Sequence, residues 1–244
     1  AEFDFKQAAV PVIISGLEQL QNNGKERMID LMDARLSVAE STLSNLIATG
    51  LYSDGSAAGG KQIDGLDAAV PVDPTAAVYG GIDGATYTFW QNAVSNQTAA
   101  DGLDATKIQG YWNELWASLV RGNDRPDLIP VDSTVWGAFT ASLQALQRFA
   151  SPDVGQLGFP TLKYMDADVV LDGGIGGACP AGTGFFLNTS YIHYRPHANR
   201  NMVSLSPNRR YATNQDAEVQ ILAWAGNLTT SGRKFQGRYD ATAA

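Results

Sequence analysis

Three sets of residues in this sequence have types and spacings that chemistry could use. His193 and His197 stand four apart in YIHYRPHAN. On a helix that spacing would aim two imidazoles at one zinc ion. Pro196 lies between them and the flanks are strand-like, so the segment reads as extended, and no glutamate sits inside the pair as a base. Cys179, the only cysteine, could serve as a thiol nucleophile beside one of these histidines. It sits among glycines and precedes Pro180, with no helix N-terminus to lower its pKa. The third set is the glycine-rich run Asp172–Gly184, DGGIGGACPAGTG, after a strand-like stretch that ends at Leu171. Such a loop cradles phosphate when a helix begins next. Here Phe185-Phe186-Leu187 follows, no Lys-Ser or Lys-Thr pair closes the run, and Gly174 and Gly176 lead to Cys179 rather than to the third glycine of a dinucleotide fingerprint. The run therefore reads as a long hairpin loop between strands. Asp166, Asp168 and Asp172 fall at strand spacing and mark a solvated face rather than an acid–base pair. These residues lead to an expectation of no catalytic set, no metal and no cofactor.

Composition narrows the class further. The hydrophobic fraction of 44% and charged fraction of 17% are those of an ordinary globular chain with material for a core. A net charge of −8 and a pI near 4.7 argue against non-specific nucleic-acid binding and against an anionic membrane surface. One cysteine excludes a disulfide framework within the chain and a cysteine zinc cluster. No run of eighteen apolar residues suggests a transmembrane helix, and no signal-peptide pattern opens the chain, which starts at Ala1. The sequons at Asn96, Asn188 and Asn227 read as chance.

The elements that must position these residues can be taken in order. Phe3 to Ser15 reads as an edge strand bearing Pro11, incomplete without a partner from a missing segment or another subunit. Gly16 to Asn23 is a connector ending in a turn signal. Gly24–Gly50 then carries apolar residues at steps of three and four, including Leu36, Leu43, Leu46 and Ile47, which predicts a helix roughly 40 Å long stopped by a left-handed Gly50. Tyr52–Val70 holds Asp54-Gly55, Gly59-Gly60 and Asp64-Gly65, three turn signals in a compact loop. A subdomain change is placed near Tyr79-Gly80-Gly81. Beyond it we expect a strand over 85–94, a helix over 104–120, a strand over 127–131, and a helix over 134–149 capped by Asp132 or Ser133. Strands follow over 161–171, 185–194, 202–205, 216–228 and 234–239. The class is α+β.

Taken together, these stretches resemble the major capsid proteins of tailed bacteriophages, the fold first seen in the Hong Kong phage. The residues that carry the resemblance run through Asn45-Leu46-Ile47, Gly50-Leu51-Tyr52-Ser53-Asp54-Gly55, Lys61–Leu66, Tyr79-Gly80-Gly81-Ile82, Phe89-Trp90-Gln91-Asn92, Leu143–Phe149, Leu162–Met165, Asp172-Gly173-Gly174, Arg195-Pro196-His197 and Ala223–Leu228. The resemblance implies a peripheral domain of residues 16–78 and 191–228, with a spine helix over 24–50, a glycine loop over 52–70 and a β-ribbon. It also implies an axial α/β domain of residues 79–190 and 229–244, with an axial loop over 172–184. Residues 1–15 would be the returning strand of an extended loop lying over a neighbouring subunit. The family's N-terminal arm and the outgoing strand of that loop have no counterpart here, so this 244-residue form is expected to assemble poorly or differently. Subunit-interface residues implied by the resemblance are Phe3, Phe5, Gly173, Gly174, Gly176, Gly177 and Arg200.

The implied function is structural: a subunit that joins copies of itself into the pentamers and hexamers of an icosahedral head around double-stranded DNA, without sequence-specific binding. It would be found in the virion and assembled in the bacterial host cytoplasm, with scaffold, portal or decoration proteins as further partners. An encapsulin-like nanocompartment shell of the same fold is the first alternative. A hydrolase using Cys179 or His193 and His197 is the second, and a monomeric binding module is the third.

Overall fold

The structure is a computed structural model, described for residues 1–22, 25–76, 78–97, 103–144, 161–174, 176–205, 210–211 and 216–241. Strand β1 (Lys6–Ser15) runs into the short helix α1 (Gly16–Gln21) and the long helix α2 (Lys25–Gly50). The short turns α3 (Ala57–Gly60) and α4 (Leu66–Ala69) follow, then a hairpin of β2 (Val78–Tyr79) and β3 (Ile82–Asp83). Strand β4 (Ala93–Asn96), α5 (Ile108–Leu119), β5 (Leu128–Val131), α6 (Ser133–Gln144), β6 (Thr161–Tyr164), β7 (Ala167–Leu171) and β8 (Thr183–Phe186) make the middle of the chain. The end holds β9 (Ile192–Pro196), β10 (Val203–Ser204), β11 (Arg210–Tyr211), β12 (Ala217–Thr230) and β13 (Gly237–Asp240).

Two sheets organise these elements. In the first, β12 is the axis: β1 pairs with it antiparallel from Lys6 opposite Gly226 to Ser15 opposite Ala217, and β9, β10 and β11 share its other edge. The leading strand thus finds its partner inside its own chain. Pro11 is tolerated because β1 has a neighbour on one side only. The second sheet has the order β4-β13-β8-β5-β7-β6. Its parallel pairs, β4 with β13 and β5 with β7, require crossovers, and the β5–β7 crossover contains α6.

Each sheet has its own core. Leu43, Ile47, Leu66, Val70, Leu222 and Trp224 fill the one against α2. The other is built around Trp112 of α5. Its ring stacks on Phe139 at 4.6 Å and meets Tyr164 and Phe186 edge-on at 5.1 and 5.2 Å. Trp112 is fully buried, so it spends its whole apolar area in this aromatic box.

Several local expectations change. The connector after Ser15 is helical because Ser15 and Glu18 form a reciprocal capping box. The 85–94 strand is instead a 3₁₀ turn over Thr88–Trp90 followed by β4. The 161–171 strand is a hairpin whose turn places Met165 at φ 55°, a left-handed position with no glycine to announce it. The 185–194 strand splits between the two sheets, as β8 and β9, with a 3₁₀ turn at Thr189–Tyr191 between them. The last strand starts at Gly237, after a turn over Arg233–Phe235. Gly50 is not a left-handed stop: a Cβ there would lie 3.0 Å from Ile63, so its smallness admits the loop against the helix end. The part of the 134–149 helix beyond Gln144 lies outside the described residues.

Candidate functional site

The interface residues implied by the resemblance do not form one cluster. Phe3 is half-buried and meets Tyr79 edge-on at 5.0 Å, while Glu2 N–H donates to the Gly80 carbonyl at 2.9 Å. Phe5 is 66% exposed and meets the His197 ring edge-on at 5.5 Å. Arg200 is exposed in the turn after β9. Both residues precede β1, so strand alternation does not set their faces; Phe3 turns inward where Tyr79 offers a ring.

The glycine-rich loop is folded down rather than free. Asp132 closes β5 and caps α6, accepting from Thr134 N–H at 3.2 Å, Thr134 Oγ1–H at 2.5 Å and Gly182 N–H at 3.0 Å. Burial acts to raise its pKa, but these hydrogen bonds outweigh it and hold the carboxyl down at about 2. Cys179 N–H donates to the Asp172 carbonyl at 3.1 Å, which closes the loop's base. Gly173 is required by close approach: a Cβ there would lie 2.4 Å from Ser133 N. Gly177 packs on Gly173 in the same way, whereas Gly174 and Gly176 adopt φ of 87° and 84° in exposed turns. The expected long free hairpin is thus a short rim anchored on the N-terminus of α6.

The catalytic alternative does not survive this geometry. Cys179 is 8% exposed, and burial pushes its thiol up to about 12, away from the thiolate that a nucleophile needs. Its polar neighbours are the carbonyl and hydroxyl of Thr183 at 3.7 and 3.6 Å, not an imidazole. His193 and His197 lie on and just beyond β9, and the His197 ring accepts from Asn199 N–H. Among the described residues no three His, Cys, Asp or Glu side chains gather as a metal would need.

Sequence reasoning missed the joint between the two sheets. Arg238 on β13 is 5% exposed, binds Asp240 at 3.0 Å and Asp67 of α4, and lies over the Phe185 ring at 5.3 Å. Arg233, fully buried, donates to the Ala69 carbonyl at 2.7 Å from the same side. Two arginines of the last segment thus grip the short α4 turn. A second cluster ties β1 to the glycine loop: Lys6 meets Asp64 at 3.4 Å, and Asn227 donates to Asp64 at 2.8 Å. The i,i+2 spacing of Arg238 and Asp240 on one strand face was the available signal; nothing in the sequence points to Asp67. A shallow groove of about 340 Å³ remains open between the free edge of β1 and α2, lined by Val10, Ile13, Arg35 and Val38.

No protein-family model matches the sequence, and no curated protein matches it. Solved structures do match. The capsid asymmetric unit of cyanophage A-1(L) aligns over 97% of this chain and 77% of its own, with a TM-score of 0.64 at 16% identity. The capsid of a native GTA particle aligns over 98% and 73%, with a TM-score of 0.62 at 13% identity. The encapsulin of the holo-SrpI complex from Synechococcus elongatus PCC 7942 aligns over 97% and 73%, with a TM-score of 0.55 at 9% identity.

Proposed function

We propose, from the tailed-phage capsid fold that the chain shares with those structures, that this protein is a structural shell subunit which assembles with copies of itself into an icosahedral phage head. The observation that carries the reading is the alignment of almost the whole chain, both sheets included, with capsid subunits. In this reading α2 is the spine helix, the sheet around β12 is the peripheral domain, the β4–β6 sheet is the axial domain, and the anchored rim over 172–184 is the axial loop. Residues 1–15, paired with β12 and packed on Tyr79 of their own chain, are the returning strand of an extended loop. The open groove between β1 and α2, with Ile13 51% and Val38 66% exposed, supports the shell reading, because an apolar edge of this kind is stable only when covered. The acidic balance of the chain lets an inner wall hold duplex DNA without adhering to it.

The encapsulin match keeps a second reading, a cargo-holding compartment of the same fold. Purified particles separate the two. Duplex DNA inside them supports the phage head, and a protein cargo without nucleic acid supports the compartment. A chain that stays monomeric at every concentration contradicts both.

A further inference from the structure

The sequence between Gly173 and Gln215 contains no aspartate or glutamate, yet it carries Arg195, Arg200, Arg209 and Arg210. Its formal charge is +4, so the rest of the chain carries −8 − 4 = −12. In the structure two of these arginines stand on one exposed turn. Arg195 lies on β9, and the chain then folds back on β12: His197 N–H donates to the Ala225 carbonyl at 2.8 Å, Arg200 N–H to the His197 carbonyl at 3.0 Å, and Ala225 N–H to the Arg200 carbonyl at 2.8 Å. The turn is therefore pinned, and its side chains are presented outward. Neither Arg195 nor Arg200 makes an ion pair with the described residues.

Around them stand exposed apolar groups. Phe5 is 66% exposed against His197, and Tyr194, Met202 and Val203 are 42%, 38% and 44% exposed. Arginine with tyrosine, phenylalanine and methionine is the composition of a protein–protein interface core. A surface that holds only phosphate needs no such apolar rim.

Charge complementarity selects the occupant. Residues 51–83 hold Asp54, Asp64, Asp67, Asp73 and Asp83 against Lys61 alone. Asp64 and Asp67 are used within the chain, by Lys6 and Arg238. Asp54, Asp73 and Asp83 have no cation among the described residues, and each is held in place by its own turn, accepting from Ser56, Thr75 and Ala85 N–H respectively. We infer that the Arg195–Arg200 turn of one copy docks on the Asp54–Asp83 carboxylate loops of a second copy. The contact is heterologous, so it propagates around a ring rather than closing a pair. This inference rests on the shell reading.

Light scattering and sedimentation of the whole chain test it, with the double variants Arg195→Glu/Arg200→Glu and Asp54→Lys/Asp73→Lys. The unchanged chain should associate, and raising salt from roughly 50 to 500 mM should weaken it. Each variant alone should associate at least about tenfold more weakly. An equimolar mixture of the two should recover association, because each then offers the charge the other lacks; misfolding would not be rescued in this way. Equal assembly by all variants, or a mixture that stays as weak as its parts, overturns the inference and leaves the shell reading intact. So does retardation of a short duplex DNA by the unchanged chain that Arg195→Glu/Arg200→Glu abolishes while assembly persists. Failure of the unchanged chain to associate at all removes both.

Discussion

Asp132 shows how one side chain fixes a surface feature. Its carboxylate joins β5, α6 and the glycine-rich rim through Thr134 and Gly182. Its folded pKa, about 2, lies below the ordinary carboxylate value, so it adds stability above about pH 4 that is lost as pH falls toward 2. Acid titration of the melting temperature should show this loss, at most about 2 kcal/mol, and Asp132→Asn should flatten the slope. Arg238→Ala should cost about 3 kcal/mol in chemical denaturation, because it removes the buried guanidinium that the carboxylates of Asp67 and Asp240 share. A cost under about 1 kcal/mol would contradict the joint as described. At this scale the sequence was partly legible. It marked Asp132 or Ser133 as a cap and Cys179 as lacking any means of activation, since both follow from immediate neighbours. It was silent on Asp67 and Arg238, 171 residues apart, because only the closed fold brings them together.

At the scale of elements, period and composition predicted the long helix well but overstated its buried face. Ala39, Leu43 and Ile47 are buried, while Val38 and Leu46 are 66% and 52% exposed and Leu36 is half-buried. Among the described residues, Leu43 and Ile47 are the part of α2 that shares a core with Leu222 and Trp224 of β12. Leu43, at 0% exposure, is the stripe residue whose truncation opens the core most directly. Leu43→Ala should cost about 2–5 kcal/mol in denaturant unfolding, whereas Glu40→Ala, on the exposed face, should stay within about 0.5 kcal/mol. Strand readings failed where a turn had no glycine or proline. Met165 turns β6 into β7, and the chain leaves one sheet for the other between Phe186 and Ile192, both with an Asp or Asn but without a glycine or proline to break the strand reading. The pairing of β1 along all of its length with β12 was equally hidden, since register is a property of two distant segments.

The whole molecule brings these scales together. Two cores are joined by Phe185 of β8, which enters the first, and by the Arg233 and Arg238 grip on α4, and the outer surface keeps an open strand edge, a basic turn and exposed aromatic residues. The resemblance that named the fold drew on residues scattered from Asn45 to Leu228, none of them diagnostic alone; their order along the chain carried it. Surfaces were the least legible part, because exposure depends on which face each element turns outward. In the proposed shell reading, these open surfaces are covered by further copies of the chain. The most direct measurement is electron microscopy of the purified chain across a concentration series. Ordered assemblies of many copies, whether closed shells, capsomer rings or a different form, whose subunits contact one another through β1 and the Arg195–Arg200 turn are the expected result. A uniform population of monomers at the highest concentration would contradict the account.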